Sequence, residues 1–112
     1  MPHGLPARRT SIRAEAERQL VLVGAGDREA FSVLYDLVAP YVVALVRQAV
    51  DSDSQVRDVV HEAFLELWRK APRYRPGGNA MAWIMRVALD HGAAARSRSG
   101  RADDVTGPGA EH

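Results

Sequence analysis

The sequence predicts an all-α fold, a compact bundle of about four helices. Three observations carry that expectation. Apolar residues recur at helical spacing in successive segments, no stretch alternates with period two, and glycine, proline or a capping residue punctuates the boundaries. At 112 residues the length fits one domain, able to bury roughly two-thirds of its unfolded surface.

Residues 1–11 hold the first two prolines and are expected to form a flexible N-terminus. A first helix is predicted from Ile12 to Val23, stopped by Gly24 and Gly26. Asp27 is a suitable N-cap for the second helix. Phe31, Leu34, Tyr35, Val38, Val42, Leu45 and Ala49 give that helix an apolar stripe, and Pro40 is expected to kink or split it. The cluster DSDS at 51–54 supplies a turn and the cap of a third helix. That helix is expected to bury Val56, Val59, Val60, Ala63, Phe64 and Leu67 and to stop before Pro72. RPGG at 75–78 reads as a tight loop. Asn79 then caps a fourth helix burying Ala80, Trp83, Ile84, Val87 and Ala88. Gly92 disfavours a helix by about 1 kcal/mol relative to alanine, so this helix is expected to fray after His91. The helical domain is thus placed at residues 12–98, with 99–112 as a disordered tail or linker.

The formal net charge of +1 conceals an uneven distribution. Residues 27–71 carry five basic and eight acidic side chains, whereas 72–101 carry six basic and one acidic. A negative middle beside a positive C-terminal third fits either a nucleic-acid contact or a solvated basic helix end. Cysteine is absent, which excludes disulfides and thiolate metal sites. No signal-peptide pattern appears, and apolar runs such as VAPYVVALV (38–46) fall short of a membrane span. The expectation is a cytoplasmic protein with no membrane partner.

Two segments carry the functional signal. In DVVHEAFLELWRKAPRY (58–74), Asp58, His61, Glu62, Leu65 and Glu66 share one helix face, followed by Arg69. Carboxylates around an apolar centre suit docking on a basic protein surface, although an ordinary solvated face has the same pattern. In AMAWIMRVALDHGAAARSRSG (80–100), an aromatic-led start gives way to basic residues. Enzyme readings lack support. Asp58-x-x-His61 is half of a carboxylate-bridged metal site, but the repeat on a second helix is missing. Gly24-Ala25-Gly26 lacks a preceding strand and the full phosphate-cradling signature. No catalytic residue, metal or cofactor is assigned.

The runs GDREAFSVLYDLVAPYVVALVRQAV (26–50) and DVVHEAFLELWRKAPRYRPGGNAMAWIMRVA (58–88) resemble conserved region 2 of bacterial RNA polymerase sigma factors, most closely the extracytoplasmic-function group. The resemblance covers residues 15–98. It implies a non-enzymatic subunit that binds core RNA polymerase and recognises and melts the promoter −10 element. By the same resemblance, the face of Asp58, His61, Glu62, Leu65, Glu66 and Arg69 would pack on a coiled coil of the largest polymerase subunit. Arg73, Tyr74, Arg75 and Asn79 would lie where the family holds a flipped base of the non-template single strand, with Trp83 following at the start of the reading helix. Arg86, Arg96 and Arg98 would meet phosphates. An anti-sigma factor is a further implied partner. Trp83 also lies on the apolar stripe, so a core role stands beside the DNA role.

The chain departs from this family in four ways. His61 stands where the family usually has glutamine. Leu89, Asp90, Ala94 and Ala95 replace polar and basic residues of the reading helix, and Asp90 would repel a nearby phosphate. Gly92 interrupts that helix. The C-terminal helical domain that reads the upstream promoter element does not follow, and the Gly-Pro-acidic ending favours a truncated form over a single-domain relative. The alternative function is therefore a sigma-like interaction module that binds polymerase or an anti-sigma factor without reading DNA sequence.

Overall fold

Four helices pack around one apolar core in the computed structural model, which describes the backbone of residues 5–106 and the side chains of residues 12–99. They are α1 (Leu5–Gly24), α2 (Arg28–Val46), α3 (Asp53–Lys70) and α4 (Ala80–Thr106), with a 3-10 turn at Ala71–Arg73. There is no strand among the described residues, in agreement with the all-α expectation.

The start of α1 lies inside the segment expected to be irregular. Pro6 falls in its first turn, where a missing N–H breaks no intrahelical bond, and Ala7, Arg8 and Arg9 are good helix formers. Its end is a Schellman motif: Asp27 N–H donates to the Leu22 carbonyl at 3.1 Å and Gly26 N–H to that of Val23 at 2.9 Å. Gly26 adopts the positive φ of 94° that this ending requires. Gly24 serves a different purpose. A Cβ there would stand 2.7 Å from the Ala71 carbonyl oxygen, so glycine lets the end of α1 touch the 3-10 turn.

Asp27 caps α2, its carboxylate accepting from Ala30 N–H at 3.0 Å. The helix passes through Pro40 unbroken, so the expected split does not occur. Five buried residues four apart, Ala30, Leu34, Val38, Val42 and Val46, hold it against the core. Tyr35 stays largely exposed, although its ring packs 4.3 Å from that of Phe64. By length (19 residues) and by the mean hydropathy of its most apolar 18-residue stretch (1.6), α2 could cross a membrane, which the shorter apolar runs could not. Its buried ladder is instead the inner wall of the bundle.

Ser52 caps α3 by accepting from Gln55 N–H at 3.1 Å. All six residues expected on the inner face of α3 are buried. Phe31 of α2 meets Phe64 and Trp68 of α3 edge-on, with centroids 6.2 and 5.3 Å apart. Four of the five residues expected in the core from α4 are buried, and Trp83 is half-buried.

Contrary to the expected fraying, α4 continues through Gly92 to Thr106. The reason is tertiary. Gly92 is buried against Ala49, Ala95 is buried one turn on, and Gln55 of α3 donates to Ser99 at 2.9 Å. These contacts outweigh the intrinsic penalty of one glycine. The helix therefore covers much of the expected tail; residues 107–112 lie outside the described residues.

Candidate protein and nucleic-acid interfaces

The residues singled out from the sequence fall into two separated sets. The first lies on the outer face of α3. Asp58, His61, Glu62 and Arg69 are exposed, and Leu65 is 40% exposed between them. This produces the acidic-apolar face that the spacing predicts, positioned by the burial of Val59, Val60, Ala63 and Phe64 on the opposite side.

Glu66 behaves differently from its neighbours. Its side chain is only 20% exposed and is gripped by Lys70 at 2.7 Å and Arg69 at 3.0 Å. Hydrogen bonds from these two cations, Lys70 foremost, hold its carboxyl at about 2, against the desolvation that opposes ionisation. His91 of α4 approaches the same carboxylate at 3.8 Å. Glu66 and Arg69 are therefore engaged with each other, whereas Asp58, His61, Glu62 and Leu65 point outward without an ion pair among the described residues.

The second set surrounds the loop between the 3-10 turn and α4. Arg75 and Gly78 close a turn through a 3.3 Å backbone bond, with Pro76 and the positive-φ Gly77 (92°) at its centre, the pattern of a type II turn. Asn79 caps α4, its side-chain oxygen accepting from Ala82 N–H at 3.0 Å. That leaves its amide group to donate outward. The Tyr74 and Trp83 rings meet edge-on at 5.5 Å. Arg73 and Arg75 are exposed on either side of Tyr74.

Glu17 of α1, which no local sequence pattern singles out, supports this loop. Tyr74 Oη donates to Glu17 Oε1, and Gly77 N–H donates to Glu17 Oε2 at 2.8 Å. Burial of the phenol, then the hydrogen bond and negative charge of Glu17, push Tyr74 up to about 12.

The remaining DNA candidates disperse along α4. Arg86 lies 3.6 Å from Asp90, both side chains largely exposed, so a carboxylate partly offsets this arginine. Asn79 and Arg98 are nineteen residues apart, roughly 28 Å along a continuous helix. Arg96 faces the α2 side, lining a groove with Gln48 and Ala49. Arg98 faces α3 and lines a groove of about 350 Å³ with Asp58, His61, Glu62 and His91. The structure thus brings together Arg73, Tyr74, Arg75, Asn79 and Trp83, and puts Arg98 with the acidic set.

Sequence comparisons bear on these surfaces. The family described as Sigma-70 region 2 matches residues 34–105, spanning most of α2, all of α3 and nearly all of α4. The chain is 30% identical over 104 residues to the RNA polymerase sigma-H factor of Pseudomonas aeruginosa, covering 89% of this chain and 54% of that protein. It is also 30% identical over 67 residues to the ECF RNA polymerase sigma factor SigK of Mycobacterium ulcerans, covering 59% of this chain and 36% of that protein. The matches span between about a third and about half of the length of these relatives. No solved structure matches the chain.

Proposed function

The chain belongs to the Sigma-70 region 2 family, and from that premise we propose that it binds core RNA polymerase and takes part in recognising promoter DNA as a non-enzymatic initiation factor of the cytoplasm. The observation that carries this reading is the separation of an outward acidic-apolar face on α3 from an aromatic-basic loop before α4. One surface suits a protein carrying arginines, the other suits an unstacked nucleic-acid strand.

In the finer reading, Asp58, His61, Glu62 and Leu65 dock on a coiled coil of the largest polymerase subunit. Exposed carboxylates would steer the encounter, and Leu65 would give the contact an apolar centre. The loop of Arg73, Tyr74, Arg75 and Asn79 receives a base of the non-template strand at the −10 element. Unstacking a base requires a few kcal/mol, which aromatic and hydrogen-bonding contacts at a pocket offset. Asn79 contributes its free amide, the arginines contribute phosphate contacts, and the half-buried Trp83 backs Tyr74.

One feature favours the second reading, a module that binds polymerase or an anti-sigma factor without reading DNA. Asp90 offsets Arg86 at the point where the helix would meet phosphates. Fluorescence anisotropy with −10-like and scrambled single strands, at low and moderate salt, separates the two. The promoter reading requires a preference for the −10-like strand that survives moderate salt. Equal binding that disappears as salt is added would favour the interaction module.

A further inference from the structure

The loop at residues 74–79 has little internal backbone hydrogen bonding among the described residues. Its internal backbone bond is the long one that closes the Arg75–Gly78 turn, and two adjacent glycines lie within it. Gly77, at its positive φ, has an exposed N–H that no carbonyl within the turn engages. Its acceptor comes from α1. One oxygen of Glu17 takes the Gly77 N–H and the other takes the Tyr74 hydroxyl. One donor comes from the residue that leads into the turn and the other from the centre of the turn, so one carboxylate ties the two together. Tyr74 in turn leans on Trp83 and thereby on the first turn of α4.

We infer that Glu17 is a positioning residue for DNA binding: it fixes the geometry of the loop that receives the base, without itself touching nucleic acid. The inference rests on the DNA reading proposed above and deepens it. Hydrogen bonds to a charged acceptor are roughly twice as strong as neutral ones, and here two of them converge on a single side chain. A loop already ordered in the free protein loses less freedom on binding, which raises affinity. Glu17 precedes the stretch matched by the family, which begins at residue 34.

The test uses the full chain and the variants Glu17→Ala, Glu17→Gln and Tyr74→Phe, with Arg75→Ala as a probe of the DNA reading that leaves the clamp alone. Three quantities are measured: Gly77 amide exchange, the phenolate absorbance titration, and anisotropy with a −10-like single strand. Glu17→Ala should accelerate Gly77 exchange about tenfold, and return the Tyr74 titration from about 12 towards the ordinary tyrosine range. It should also weaken DNA binding by roughly fivefold or more. Glu17→Gln, which keeps one acceptor, should fall between the wild type and Glu17→Ala in all three. Tyr74→Phe should leave Gly77 exchange nearer the wild-type rate.

If exchange and titration respond while DNA affinity stays unchanged, and Arg75→Ala still weakens binding, Glu17 is a structural tie and the inference fails alone. If Arg75→Ala is also without effect, the DNA reading fails and takes the inference with it. No response in either exchange or titration would mean that Glu17 does not hold the loop in solution, which also overturns the inference.

Discussion

A Cβ at Gly92 would stand 3.2 Å from the Cβ of Ala49, so α4 crosses the turn that follows α2 at a distance only glycine permits without adjustment. Replacing Gly92 by alanine improves intrinsic helix stability by about 1 kcal/mol, but forces Ala49 to move by a few tenths of an ångström. We expect Gly92→Ala to show none of that gain in urea denaturation, and Gly92→Leu to destabilise by about 2 kcal/mol. Combining Gly92→Ala with Ala49→Gly should recover the gain, relative to Ala49→Gly alone. Additive effects would mean that α4 and this turn do not touch there.

Gly24 and Gly26 should respond differently to alanine although they are two residues apart. At Gly26 the penalty is a positive φ in open surroundings, about 1–2 kcal/mol. At Gly24 the new methyl would meet the Ala71 carbonyl, and the shift needed to relieve it involves backbone. Gly24→Ala should destabilise by about 1–3 kcal/mol and increase amide exchange at Tyr74, whose N–H bonds to that same carbonyl. Gly26→Ala should leave Tyr74 exchange unchanged at matched stability.

Local pattern made much of this architecture legible. The caps at Asp27, Ser52 and Asn79 combine a short polar side chain with a following helical stripe, and each makes the bond expected of it. The six buried residues of α3 follow directly from spacing. What the sequence could not display was contact between distant segments. Gly92 reads as a helix breaker until Ala49 is placed beside it, and Gly24 reads as a stop until the Ala71 carbonyl appears. Glu17 lies 57 residues from Tyr74, and no periodicity links them. The dispersal of Arg96 and Arg98 likewise required knowing that α4 runs on without fraying.

Glu66 makes acid stability testable. Its carboxyl lies at about 2 in the folded protein, below the ordinary value near 4.5, so it favours the folded state whenever it is ionised in the unfolded chain. That contribution is fully present above about pH 4.5 and is lost as pH falls towards 2. Partial exposure and salt keep it small, under about 1 kcal/mol. Glu66→Gln should therefore lower stability slightly at neutral pH and approach the wild type as pH falls through about 2. A constant difference across that range would show that the charge is not the cause.

The Arg86–Asp90 pair should restrain DNA binding. Asp90→Asn removes a negative charge beside the proposed phosphate path and releases Arg86. Single-strand affinity should rise, more at low salt than at high, because the removed charge is screened as ions are added. The same rise at every salt concentration would point to a cause other than charge.

The central claim is that the outward face of α3 docks on core RNA polymerase, and titrating core enzyme with the full chain tests it most directly. The wild type should bind saturably. The double substitution Asp58→Arg with Glu62→Arg should weaken binding at least tenfold, equivalent to about 1.4 kcal/mol, with helicity by circular dichroism unchanged because both side chains are exposed. Equal binding by the wild type and this charge-reversed variant would contradict the claim.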